Sequence, residues 1–232
     1  MQYLGGKTRL ARHLVSAMQL SSGTPVWEPF CGGLSMTVEM ANAGCDVLAS
    51  DIHRPLISLY KHMQDGWQPP KRVSEKTYKR AKHLPDSDPL KAFVGFGCSF
   101  GGKYFGGMAR DRQGTRDLTN EAYHSITRKF ESLEDVVFKR KSFFDRKPRA
   151  LEGVIYCDPP YAGTTQYKGT PSFNTAAFWI LCQWWASLGV TVYVSEFTCP
   201  VPHSVVWERD RVTHVDSSSK NVRRERLYRV RG

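Results

Sequence analysis

Val154-Ile155-Tyr156-Cys157-Asp158-Pro159-Pro160-Tyr161 joins an apolar run to an acid, two prolines and an aromatic ring. Four apolar residues in a row read as a short buried strand. Neither proline has an N–H to donate, so the ladder stops and the chain leaves the sheet at Asp158. In an open α/β sheet, ligands bind just outside the carboxyl ends of the strands. The octapeptide thus sets a carboxylate, a rigid backbone carbonyl and a ring at a binding crevice. Two acceptors and a stacking face suit a flat molecule with an exocyclic amino group. Asp and Pro also make ordinary strand exits, so the rest of the chain has to decide between the two readings.

Outward from this point, helical and extended patterns alternate, which predicts an α/β fold with a parallel sheet. Thr8–Leu20 places Leu10, Leu14, Val15 and Met18 at helical spacing, and Val26–Phe30 reads as a short strand. Gly32-Gly33 precede a helix over Leu34–Gly44, and Cys45–Ile52 is a strand ending at Asp51. A helix follows over Arg54–Gln64, with Pro55 tolerable in its first turn. After a helix over Asn120–Leu133, strands are expected at Val136–Phe144, Gly153–Asp158 and Thr191–Phe197, with a helix at Thr175–Leu188 stopped by Gly189. Val205–Val215 and Glu225–Arg231 read as final strands, paired antiparallel. Residues 66–119 break the alternation. Their Gly95–Gly107 stretch interleaves six glycines with aromatics and reads as an insertion or a mobile lid. The division expected is a main domain over 1–65 and 120–232, with a small, mainly helical and loop insert over 66–119.

The 232 residues carry a formal charge of +11, which favours a polyanionic partner. The charge is clustered. Lys71, Arg72, Lys76, Lys79, Arg80 and Lys82 face only Glu75; Lys139, Arg140, Lys141, Arg146, Lys147 and Arg149 face only Asp145; Lys220, Arg223, Arg224, Arg226, Arg229 and Arg231 face only Glu225. Three such runs indicate a nucleic-acid surface more than a solvated face. The six cysteines form no C-x-x-C pair, and the seven histidines are scattered, so no metal site is expected. The sequence shows no leader pattern and no apolar stretch long enough for a bilayer, and a reducing cytoplasm is the expected setting.

Two further constellations bear on chemistry. Val26–Gly33, "VWEPFCGG", is a strand, a turn and a helix start, where glycines let a ligand approach backbone N–H groups. It is neither a P-loop nor a G-x-G-x-x-G fingerprint. Asp51, at the end of the next strand, stands where an acid accepts hydrogen bonds from ribose hydroxyls. Without a phosphate fingerprint, a cofactor made of adenine, ribose and an amino-acid tail fits better than NAD or ATP. At the start, "YLGGK" supplies Tyr3 as a stacking face, Gly5 and Gly6 for close approach, and Lys7 as a cation.

Taken in order, "YLGGK", "WEPFCGG", the Asp51 strand with "DIHRPLISLY", "VVFKRKSFF", "DPPY", "VSEF" and "RRERLYRV" resemble the Dam-like DNA adenine-N6 methyltransferases over most of the chain. The resemblance implies a Rossmann-like methyltransferase sheet and S-adenosylmethionine as cofactor. It implies cofactor contacts from Tyr3, Gly5, Gly6, Lys7, Glu28, Pro29, Phe30, Gly32, Gly33, Asp51, Ile52 and Asp158. It assigns Asp158, Pro159, Pro160 and Tyr161 to the reaction: Asp158 and the Pro159 carbonyl accept the two N6 hydrogens of an extruded adenine, and Tyr161 stacks on its ring. DNA contacts are expected from Lys71, Arg72, Lys79, Arg80, Lys103, Tyr104, Arg110, Arg112, Arg116, Arg223 and Arg224. Tyr3 stands where the family often has Trp, and Ser142 where an acid commonly precedes Phe143.

The implied partner is double-stranded DNA, bound by a monomer or by a dimer on DNA, in a bacterial or phage restriction-modification setting. The closest competing reactions are methylation of cytosine N4 in DNA or of adenine in RNA, which offer the same N–H geometry. Methylation of a protein side-chain amide is disfavoured by the charge. A non-catalytic DNA-binding regulator on the same fold would be expected to have lost "DPPY" or "WEPFCGG", and both are intact.

Overall fold

The computed structural model describes residues 3, 6–145, 153–161, 172–216 and 219–232, with backbone alone at 211–223. They form one seven-stranded sheet in the order β3-β2-β1-β4-β5-β7-β6. β1 (Pro25–Glu28), β2 (Asp46–Asp51), β3 (Val137–Arg140), β4 (Val154–Cys157) and β5 (Thr191–Glu196) run parallel. β7 (Ser219–Val230) lies antiparallel between β5 and β6 (His203–Asp216). The fold is the α/β, Rossmann-like, mostly parallel sheet expected. The strand order reverses between β1 and β4, and the crevice at that reversal is where such sheets bind ligands.

Side chains alternate between the two faces with the period of two that a strand imposes. Val26, Val47, Ala49, Tyr156, Tyr193 and Leu227 point to the core under α1 (Ala11–Met18), α2 (Ser35–Asn42) and α3 (Arg54–Gln64). Trp27, Ile155, Cys157, Val192, Val194 and Val230 point to the other core, which is covered by α7 (Thr175–Ser187) through Phe178, Trp179, Cys182 and Trp185. Burial of each such large side chain contributes roughly 1.5–3 kcal/mol. Together they hold the sheet as a rigid frame for the loops at its carboxyl edge.

The glycine-rich stretch departs from the lid reading. α4 (Glu75–Ala81) and α5 (Pro89–Ala92) lead into a π-helical turn, Phe93–Gly97, that is fully buried in the first core with Val73 and Cys98. Gly95 is there for packing: a Cβ on it would lie 2.5 Å from the Tyr104 ring and 2.7 Å from that of Phe105. Only the following turn reaches solvent, and Phe100 there is 69% exposed. α6 (Leu118–Phe130) starts two residues before the expected point, because the Asp117 carboxylate caps it by accepting from the Asn120 N–H at 3.0 Å. β3 ends at Arg140 and gives way to a 3-10 turn, Phe143–Asp145, which the Ser142 hydroxyl closes by accepting from the Phe144 N–H. β7 begins at Ser219, earlier than the apolar pattern shows, so β6 and β7 continue as a two-stranded ribbon past the end of β5.

Candidate active site

Glu28, Asp51 and Asp158 end three adjacent strands, β1, β2 and β4, at one edge of the sheet. All three carboxyls are held above their ordinary range, and burial is the main cause in each. Glu28 is 2% exposed and pushed up to about 8, although its carboxylate accepts from the Thr37 hydroxyl at 2.5 Å. Asp51 is pushed up to about 6, and backbone N–H groups of His53 (2.9 Å) and Gly32 (3.1 Å) partly offset the burial. Those two bonds tie the loop after β1 to the end of β2. A carboxylate has about four lone-pair sites, so Asp51 keeps capacity for hydroxyls.

Lys7 sits just before α1, and its backbone carbonyl accepts the Leu10 and Ala11 N–H groups. Its side chain is 5% exposed and turned into the edge of the sheet. The ammonium has three oxygens around it: Tyr161 Oη at 2.7 Å, Asp158 Oδ1 at 2.8 Å and Glu225 Oε1 at 2.9 Å. It also stands 4.6 Å over the Tyr161 ring centroid. Burial alone would lower the Lys7 pKa, but Asp158 and Glu225 outweigh it and hold the group charged. The Tyr161 hydroxyl donates to Glu225 at 2.8 Å, and its ring meets Phe197 edge-on at 4.7 Å. Pro159 is buried and Pro160 half-buried, so the backbone between acid and ring is fixed.

The residues expected to contact the cofactor include Tyr3 and its neighbours. Its ring lies on Gly32 and Gly33, where a Cβ would come within 2.7 and 2.6 Å of Tyr3 atoms, and packs 5.1 Å from Phe96. These glycines therefore make room for Tyr3 itself, beyond the ligand approach expected of them. Gly6 closes a turn on the Tyr3 carbonyl. Pro29 is buried, and Phe30 is half-buried in an aromatic cluster with Phe143, Phe173 and Phe178. Ile52 is half-buried beside Asp51. Gly5 lies outside the described residues.

The expected DNA-binding residues divide. Lys71, Lys79, Arg80, Lys103 and Arg112 are exposed. Arg72, Arg110, Arg116 and Arg224 are exposed but already face Asp117, Glu75, Glu121 and Asp210. Tyr104 is a correction: its ring turns inward against His53, Phe96 and Phe105, filling the space that Gly95 leaves open, and so does not lie on the basic surface. Arg223 is on β7, with its side chain outside the described residues.

Three residues were missed. Glu225 looked like a lone acid in a run of arginines, yet it falls two residues before Leu227 on the buried face of β7. Lys129 follows Ala122 and Ile126 at helical spacing on the buried face of α6. It donates to the Gly33 carbonyl and is lowered to about 8 by burial, against the pull of Glu28. His53 is buried and lowered to about 4 by desolvation, and its Nδ1 has no partner among the described residues. Among the described residues no cluster of His, Cys, Asp or Glu could hold a metal, and no helix is long and apolar enough to cross a membrane.

A mostly parallel sheet with strand order 3-2-1-4-5-7-6, acids at the ends of β1, β2 and β4, and Asp-Pro-Pro-Tyr after β4 make an α/β frame with a candidate crevice at its carboxyl edge. Residues 3–93 match the model of the D12 class N6 adenine-specific DNA methyltransferase family. The match agrees with the Dam-like resemblance over the first two-fifths of the chain. Among solved structures, the chain is similar to TrmN from Thermus thermophilus (12% identity, 95% of this chain and 48% of that one, TM-score 0.39). It is also similar to the rRNA methyltransferase AviRa from Streptomyces viridochromogenes (14%, 96% and 84%, TM-score 0.44) and to SMU.472 complexed with SAH (15%, 97% and 52%, TM-score 0.41). The chain spans about half the length of TrmN and of SMU.472.

Proposed function

We propose that this enzyme transfers a methyl group from S-adenosylmethionine to N6 of an adenine extruded from double-stranded DNA. The observation that carries the reading is the seat of the Lys7 ammonium, an amine bonded to Asp158 and lying over the Tyr161 ring. The crevice thus already accommodates an N–H donor in the place where an adenine amino group needs an acceptor and a stacking face. The family match over residues 3–93 supports adenine N6 as the acceptor and DNA as its carrier.

The residues at the ends of β1 and β2 fit the cofactor. Asp51 retains lone pairs for ribose hydroxyls, Glu28 and Lys129 bring an acid and an amine near Gly32-Gly33, and Tyr3 offers a ring. When bound, the cofactor supplies a methyl group on a positively charged sulfur. The chain's own contribution is to hold and polarise the acceptor. Asp158 and the Pro159 carbonyl accept hydrogen bonds from the two N6 hydrogens, which draws the nitrogen lone pair out of the ring. As N6 gains positive charge, Asp158 stabilises it in a site largely shut off from water. Once methylated, the cationic nitrogen gives up one of those protons, to Asp158 or through it to solvent. Positioning supplies the remainder. A base inside a duplex cannot reach Asp158, so it must be extruded.

Residues 66–119 serve as the DNA-recognition element, with Lys71, Lys79, Arg80, Lys103 and Arg112 on phosphates. The arginines facing surface acids join them, because exposed ion pairs hold only about 0–1 kcal/mol. The test is incubation with unmethylated duplex DNA and labelled S-adenosylmethionine, followed by digestion to nucleosides. N6-methyladenine is the expected product; label in N4-methylcytosine alone, or in RNA alone, would refute the reading.

A further inference from the structure

The buried carboxylate of Glu225 belongs to no part of the reaction described so far. It lies on β7, two strands away from the Asp158 strand, and is 1% exposed. A buried acid costs several kcal/mol unless paired and hydrogen-bonded. Here both conditions are met by groups of the active site: Glu225 Oε1 is 2.9 Å from the Lys7 ammonium and accepts the Tyr161 hydroxyl proton at 2.8 Å. Tyr161 has one proton to give. Asp158 is also within hydrogen-bond reach of that hydroxyl, and when the proton goes to Glu225 the oxygen lone pair faces Lys7, in agreement with the 2.7 Å Lys7–Tyr161 bond.

The consequence concerns Asp158. Its Oδ1 is taken by Lys7, the same kind of donor that the acceptor amine must present to it. With Asp158 as the only counter-charge, a buried ammonium would hold that carboxylate tightly and compete with the incoming base. Two carboxylates sharing one ammonium change the balance, because Lys7 keeps an ionic partner when its bond to Asp158 lengthens. Resting on the proposed reaction, we infer that Glu225 is a positioning residue: it holds Lys7 and the Tyr161 hydroxyl so that Asp158 is released to the amino group of the entering base. Glu225 touches neither base nor donor in this role and acts through Lys7 and Tyr161. The raised pKa of Lys7 agrees, since it keeps the group a cation throughout.

Glu225→Gln keeps an acceptor for Tyr161 and removes the charge. On unmethylated bacteriophage DNA with saturating S-adenosylmethionine, its single-turnover rate is expected to fall at least ten-fold. DNA affinity by filter binding and cofactor affinity by calorimetry should stay within about two-fold of wild type. The readout that a purely structural role would not move is suppression. Starting from Lys7→Met, adding Glu225→Gln should cost less than two-fold, because the charge it balances has gone. A Glu225→Gln enzyme of wild-type rate overturns the inference, as does a further ten-fold loss in the double variant relative to Lys7→Met. If Glu225→Gln alone fails to fold, the Lys7→Met pair of measurements still decides. Wild-type enzyme that makes no N6-methyladenine would instead remove the reaction on which the inference rests.

Discussion

Glu28→Gln separates the electrostatic cost of the site from its geometry. The Glu28 carboxyl is wholly enclosed at the end of β1, accepts from Thr37 at 2.5 Å and titrates at about 8, against 4.5 when exposed. Folded protein therefore binds this proton more tightly than unfolded chain. The associated stability is full below about pH 4.5 and is lost as the pH rises toward about 8. At about 1.4 kcal/mol per pH unit, tapering near the folded pKa, the interval from about pH 6.5 to 8.0 removes roughly 1.5–2 kcal/mol. Asp51, His53 and Lys129 also link stability to pH, but they do so equally in both proteins and cancel in the comparison. Glutamine has the same shape, can still accept from Thr37 and cannot ionise. Urea unfolding of both proteins across the interval should show the wild type losing about 1.5–2 kcal/mol relative to the variant. Parallel pH profiles would refute the claim that Glu28 is a neutral acid in the folded site.

Asp158→Asn is expected to slow methyl transfer on the order of 10²–10³-fold, the scale for removing one group aimed at developing charge; rapid-quench kinetics with normal cofactor binding would show it. Gly33→Ala places a Cβ 2.6 Å from Tyr3 and should drive that ring off the glycine pair. A loss of S-adenosylmethionine affinity of about ten-fold is expected by calorimetry, at the order of 1.4 kcal/mol per decade, and unchanged affinity would remove Tyr3 from the donor site. Lys79→Ala combined with Arg80→Ala removes two exposed cations of α4. The slope of log K against log salt for duplex binding should become shallower by roughly 1.8; an unchanged slope would take α4 off the DNA.

The sheet and the Asp158 crevice were legible because each strand end carries its own stop. Two prolines end β4, Pro29 and the glycines follow β1, and Asp51 ends β2 with its carboxylate on the His53 N–H two residues on. Those constraints are local, so periodicity and turn chemistry recover them. Gly95–Gly107 misled for the opposite reason. Glycines that let Tyr104 and Phe105 pack on Gly95 have the same composition as glycines that let a loop move, and only the tertiary contact separates them.

Glu225 and Lys129 show the other limit of reading along the chain. Each occurs among cations or at a helix end, where a charged residue is expected to be solvated, yet Glu225 is buried and Lys129 half-buried, each against a partner more than 60 residues away: Tyr161 for Glu225, Gly33 for Lys129. The spacing was nevertheless visible, since Glu225 alternates with Leu227 on β7 and Lys129 continues the Ala122–Ile126 face of α6. A charged residue in phase with a buried face must find a counter-charge or leave the core. Here Glu225 finds Lys7, and Lys129 finds the Gly33 carbonyl near Glu28, groups already on the candidate site for other reasons. The phase of the charged residues on β7 and α6 therefore points back to the same crevice as the Asp-Pro-Pro-Tyr turn, by an independent route.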